Sequence, residues 1–83
     1  MKVSIKYFAS IREALGVGQE SVETSAVNLG DLRDELIARG GPHAVALARG
    51  RSLRVAQNQV MVAETVALQD GAEVAFFPPV TGG

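Results

Sequence analysis

Cysteine is absent from this 83-residue chain, which removes a disulfide framework, a thiolate metal site and a cysteine nucleophile together. Tryptophan is absent too, and one tyrosine and three phenylalanines are all the aromatics, so two adjacent phenylalanines near the end stand out. Positive charge is not in excess. Eight Lys and Arg against nine Asp and Glu give a formal net charge of −1, without the positive field that attracts nucleic acid or an anionic membrane. No apolar run approaches the length of a membrane span, and Met1-Lys2-Val3 alternates where a signal peptide would open on a continuous apolar block. The expectation is a cytoplasmic protein with neither nucleic acid nor membrane as partner.

What is present suits one small core. Hydrophobic residues make up 47% of the chain, and a domain this size buries only about 60% of its unfolded surface, too little for a deep substrate cleft. Lys2 to Phe8 alternates, with Val3, Ile5 and Tyr7 on one face, and reads as a half-buried strand. Ile11 and Leu15 at i, i+4 followed by Gly16 read as a short helix with a glycine stop. Gln19 to Thr24 alternates around Val22 and returns antiparallel beside the first strand. Asn28 to Arg39 is the main helix: Asn28 caps it, Leu29, Leu32, Leu36 and Ile37 recur at helical spacing, and Gly40-Gly41-Pro42 stops it. Ala44 to Ala48 reads as a further turn. Leu53 to Gln57 and Val60 to Val62 read as short strands joined at Asn58-Gln59, and Asp70-Gly71 turns the chain into a last strand, Glu73 to Phe77. The expected fold is α+β, with one amphipathic helix across a small mixed sheet that holds both the first and last strands.

A search of this body for chemistry finds little. His43 follows Gly-Gly-Pro, lacks a cysteine or clustered carboxylate to share a metal or proton, and reads as a surface histidine. Asp31, Asp34 and Glu35 fall in the first turns of the main helix, where negative charge suits the dipole, and read as a solvated face. Arg49, Arg51 and Arg54 stand without a Walker or dinucleotide fingerprint and read as a partner-facing or solvated loop. Thr24 and Ser25 have no activating histidine within reach of the sequence pattern.

Chemistry is left to the ending, "FFPPVTGG", Phe76 to Gly83. Gly82 and Gly83 carry no side chain, so the Gly83 carboxylate is uncrowded and the backbone before it is free to thread a narrow channel. Pro78 and Pro79 favour an extended exit, and Pro78, Pro79, Val80, Thr81, Gly82 and Gly83 together reach about 20 Å from the last strand. A carboxylate is a poor electrophile until an oxygen is replaced by a leaving group, and adenylation supplies one. Residues 1–77 are expected as the folded domain and 78–83 as an extended flexible tail.

The stretches "KYFASIREALG", "VAQNQVMV" and above all "LQDGAEVAFFPPVTGG" resemble the small-subunit family of molybdopterin synthase, ubiquitin-like β-grasp sulfur carriers. The resemblance covers essentially the whole chain. It implies that an adenylating activating enzyme uses ATP on Gly83, that sulfur transfer makes a thiocarboxylate there, and that the tail inserts into a large catalytic subunit. Sulfur would then pass to cyclic pyranopterin monophosphate, in a heterotetramer whose catalytic side chains lie on the large subunit. The chain itself would be no enzyme and would bind no cofactor or metal.

Alternation also proposes a docking face, because Phe8 and Phe77 fall on the non-core side, Met61 can join them from a neighbouring strand, and Arg12 can form part of a polar rim. Two other functions share the adenylation step: a thiazole-pathway sulfur carrier and a ubiquitin-like protein modifier. Ubiquitin-type tails tend to carry arginine before the glycines, where Val80 and Thr81 stand here. A structural ubiquitin-like interaction domain would need no activated terminus.

Overall fold

The computed structural model describes residues 1–79, and Val80, Thr81, Gly82 and Gly83 lie outside the described residues. The chain forms β1 (Lys2–Tyr7), α1 (Ala9–Leu15), β2 (Gln19–Glu23), α2 (Leu29–Ala38), α3 (Gly41–Ala46), β3 (Arg54–Gln57), β4 (Val60–Val62) and β5 (Glu73–Phe77). The strands make one sheet in the order β2-β1-β5-β3-β4. β1 and β5 run parallel, with Ile5 opposite Val74 and Tyr7 opposite Phe76. The other pairings are antiparallel. The sheet is therefore mixed, with the last strand at its centre.

The alternation in each strand sorts the side chains. Val3, Ile5 and Tyr7 of β1, Val22 of β2, Val55 of β3 and Val74 and Phe76 of β5 are buried on one face, and Leu29, Leu32 and Leu36 of α2 pack into the same core. Asn28 caps α2 as its side chain accepts from the Asp31 amide at 2.7 Å, satisfying one of the free donors of the first turn. The Asn58-Gln59 link has both residues at positive φ, 51° and 69°, the backbone that a two-residue hairpin with right-handed strand twist requires. Asn58 then ties the hairpin to β5, its Oδ1 accepting from the Glu73 amide at 3.0 Å.

Two features differ from the sequence reading, and a third was not anticipated by it. Phe8 ends the strand early and becomes the N-cap of α1, because the next residue, Ala9, takes φ 52° and turns the chain out of the sheet. Pro42 does not merely stop α2; it stands in the first turn of α3, where proline's missing N–H costs nothing. Arg33, on which the sequence reading was silent, is 3% exposed on the core-facing side of α2. Its Nε donates to Leu47 O at 2.8 Å, its Nη2 to Ala48 O and Arg51 O at 2.6 and 2.9 Å, and its Nη1 to Glu64 at 2.8 Å. A buried guanidinium is tolerable only with such partners, and here they fix the segment between α3 and β3. The signal was present: Arg33 stands four residues after Leu29 and three before Leu36, on the helix's apolar stripe.

Leu36 is 1% exposed at the centre of the helix and sheet contact. Leu36→Ala is expected to cost about 2–5 kcal/mol in denaturant unfolding, as truncations at closed core sites do. A loss below about half a kcal/mol would place Leu36 outside the core and refute this packing.

Candidate functional site

Parallel pairing of β1 and β5 puts the C-terminal ends of both strands at the same end of the sheet. Phe8 and Phe77, each one residue beyond the Tyr7 and Phe76 pair, consequently meet on the outer side with ring centroids 4.6 Å apart and planes within 8°. Phe8 and Met61 are exposed, at 39% and 52%, and Phe77, the inner ring of the pair, is half-buried. Phe8, Ala9, Arg54, Met61, Phe77, Pro78 and Pro79 line one shallow groove of about 470 Å³. Three of the four residues chosen as a docking face thus share one surface with the root of the tail. Arg12 flanks it: with Phe8, Lys6, Tyr7, Gly18 and Gln19 it lines an adjoining groove. Gly18 makes room for it, since a Cβ there would stand 2.9 Å from Arg12 Nε.

Pro78 and Pro79 also border a third groove, of about 480 Å³, on the helical side of the tail root, between α1, α3 and residues 51–53. Sequence reasoning had no signal for it, because it forms only where the two short helices meet. Val80, Thr81, Gly82 and Gly83, the other predicted tail residues, lie outside the described residues.

His43 corrects the sequence reading. It is half-buried, its Nε2 stands 3.0 Å from Glu20 Oε2, and its ring meets Tyr7 edge-on at 6.2 Å. His43 stands in the first turn of α3, after Gly41 and Pro42, and not in a loop. Glu20 collects three partners: Tyr7 Oη donates to its Oε2 at 2.7 Å, and Arg39 Nη1 to its Oε1 at 2.6 Å. Burial pushes Glu20 up, but the hydrogen bonds from Arg39, His43 and Tyr7 outweigh it and hold the carboxyl at about 2 against an ordinary 4.5. Burial first, and then the bond to Glu20, raise the Tyr7 hydroxyl above its usual range. The cluster reads as a brace joining β1, β2, α3 and the end of α2.

The remaining polar candidates also brace the fold. Arg49, expected as part of a loop facing solvent or a partner, instead donates from Nε to Asp34 at 2.8 Å, from Nη2 to Gly30 O at 2.8 Å and from Nη1 to Glu64. Asp34 is pulled below its usual range, first by the Arg49 bond, so the acidic helix face is partly paired rather than merely solvated. Thr24 donates to Glu35 and accepts from the Ala26 amide at 2.9 Å. Among the described residues no group of three His, Cys, Asp or Glu side chains would hold a metal ion, and no helix is long and apolar enough to cross a membrane.

A mixed five-stranded sheet crossed by one helix, with a central last strand running through two prolines off the domain, is the β-grasp arrangement of ubiquitin-like proteins. The sequence profile of the ThiS family matches residues 5–83, and the chain belongs to that family. It is 40% identical over 81 residues to the molybdopterin synthase sulfur carrier subunit of Escherichia coli, covering 98% of this chain and 99% of the relative. The corresponding subunit of Haemophilus influenzae is 38% identical with the same coverage. Among solved structures, small archaeal modifier protein 1 of Haloferax volcanii superposes with a TM-score of 0.79 at 27% identity, over all of both chains. A chain in the complex of subunits 1 and 2 of the molybdopterin-converting factor from Helicobacter pylori does so at 0.67 and 26%, also over all of both chains.

The Glu20 brace has a testable sign. Its carboxyl is lower in the folded protein than in the unfolded chain, so its contribution is full above about pH 4.5 and is lost as pH falls toward 2. Thermal unfolding across that window is expected to show a steeper acid decline for the parent than for Glu20→Gln. Parallel declines would refute the role of this carboxylate.

Proposed function

We propose that this protein is the sulfur-carrier subunit of molybdopterin synthase in molybdenum cofactor biosynthesis, and that its working group is the carboxylate of Gly83. The observation that carries the reading is end-to-end similarity to carriers of that kind, at 40% and 38% identity. The position of the tail root beside an exposed aromatic stack supports it. The domain contributes no acid, base or nucleophile to the chemistry; it contributes a rigid handle and a surface.

The steps follow from the tail. An activating enzyme binds ATP, the Gly83 carboxylate attacks the α-phosphorus, and pyrophosphate leaves. The acyl-adenylate is then attacked at carbon by a sulfur donor, AMP leaves, and a thiocarboxylate remains. The large subunit accepts residues 78–83 in a channel narrow enough to require glycine at its end, and its side chains direct the sulfur onto cyclic pyranopterin monophosphate. The carrier behaves as a mobile group holder, like other carriers of activated groups. Phe8, Met61 and Phe77 form the apolar centre of the docking face, and Arg12 belongs to its rim. In the Helicobacter pylori structure a chain of the same fold is seen in a complex of subunits 1 and 2, in keeping with a large-subunit partner here.

The likeness to an archaeal modifier protein favours a second reading, conjugation of Gly83 to protein lysines. Intact-mass analysis separates them, since a thiocarboxylate replaces one oxygen by sulfur and a conjugate adds a whole protein.

Two outcomes are expected. Phe77→Ala leaves the circular dichroism spectrum unchanged but weakens binding to the large subunit by about tenfold or more, as loss of a central aromatic anchor does; unchanged affinity in titration calorimetry would move the docking face elsewhere. Deleting Gly83, or adding a residue after it, abolishes thiocarboxylate formation and molybdopterin synthesis in a reconstituted assay with no change in melting temperature. An extended chain shown by mass to be uncleaved, yet still delivering sulfur, would refute the reading.

A further inference from the structure

We infer that the end of the domain from which the tail departs carries an electropositive collar, formed by Arg12, Arg51 and Arg54, that docks against carboxylates rimming the tail-accepting opening of the partner. The inference rests on the carrier reading and adds to it the chemistry of the partner's surface.

The observation is a segregation of charge. Of six arginines, Arg33, Arg39 and Arg49 are occupied by carboxylates of their own chain. Arg12, Arg51 and Arg54 are exposed and make no ion pair among the described residues. These three line the three grooves around the tail root: Arg54 beside Phe8, Phe77 and the two prolines, Arg51 beside the prolines on the helical side, and Arg12 beside Phe8. Among the described residues no Asp or Glu lines any of these grooves, although acidic residues outnumber basic ones in the chain.

Topology explains why the three meet. Arg54 opens β3 opposite Phe77, Arg51 ends the segment whose carbonyl Arg33 holds, and Arg12 lies one turn into α1 after Phe8. Arg33, buried and fixed to Leu47, Ala48 and Arg51, keeps that segment's backbone in place beside the tail.

A guanidinium on an apolar surface keeps its stem against that surface and its fork in water, and the fork matches a carboxylate in a bidentate pair. Arg54 also borders a groove that holds Glu64, but that carboxylate is already taken by Arg33 and Arg49, so three such forks around an apolar patch are complementary to an acidic rim. Rim charges of this kind act mainly on encounter: they raise the association rate and make it salt-dependent, and they change dissociation less.

Stopped-flow association of the intact carrier with the large subunit, between low and high ionic strength, tests this. The expected parent rate falls steeply with salt. Simultaneous Arg12→Ala, Arg51→Ala and Arg54→Ala is expected to lower the low-salt rate by about tenfold and flatten its salt dependence, with dissociation changed by less than about threefold. The triple change to lysine should keep most of the rate. Lys2→Ala, at the opposite end of β1, should behave as the parent, whereas Arg54→Ala alone should lose rate.

A salt-independent parent rate, a triple variant as fast as the parent, or equal effects of Lys2→Ala and Arg54→Ala would overturn the collar while leaving the carrier reading intact. A parent that does not bind the large subunit at all would overturn both. Sedimentation of the carrier alone at low salt, showing a dimer that the triple substitution dissolves, would assign the collar to a second copy and refute an acidic partner rim.

Discussion

The parallel pairing of β1 with β5 is the constraint on which the rest of this molecule depends. It joins residues some seventy positions apart, Ile5 to Val74 and Tyr7 to Phe76, and so places the last strand in the middle of the sheet rather than at its edge. Because the two strands run the same way, their ends coincide. The chain's exit, the start of α1 and the start of β3 are thereby gathered at one end of a small domain. A tail leaving from a central strand is anchored by hydrogen bonds on both sides, so contact or tension on it is transmitted to the core rather than to a frayed edge.

That arrangement divides the labour of the protein between two regions. Around the core, the polar side chains serve the fold: Glu20 ties Tyr7, Arg39 and His43 together, while Arg33 and Arg49 share Glu64 and hold the chain between α3 and β3. A domain of this size has few kilocalories to spare, and these bonds knit loops that its short helices do not bury. At the tail end the side chains are turned outward instead. Phe8 and Phe77 stack on each other but remain partly open to solvent, and among the described residues Arg12, Arg51 and Arg54 make no ion pair with a carboxylate of their own chain. Surfaces of that composition are completed by another protein.

Such a carrier has physical reasons to keep catalytic groups off its own body. A group that must be activated at one enzyme and consumed at another has to travel, and reach and a docking surface serve travel better than a fixed pocket. The strained backbone at Ala9 fits this picture, since turning the chain sharply after Tyr7 exposes Phe8 beside Phe77 instead of continuing the strand into solvent.

The local pattern by itself determined the strands, the main helix, expected over Asn28 to Arg39 and found at Leu29–Ala38 with Asn28 as its cap, the hairpin at Asn58-Gln59 and the core face of Val3, Ile5, Val74 and Phe76. Each of these follows from side-chain periodicity or turn chemistry within a few residues. Alternation also sent Phe8 and Phe77 to the side away from the core, with Met61 expected to join them from a neighbouring strand, and the ending pointed to Gly83 as the group to test. What only the tertiary structure decided are the meetings between distant segments. The partners that hold Arg33, the capture of His43 by Glu20, the use of Arg49 as a brace and the convergence of Arg12, Arg51 and Arg54 on the tail root depend on which elements lie side by side. A charged side chain's fate is set by partners far along the chain, and periodicity, which reports only the face a residue occupies, carries no record of them.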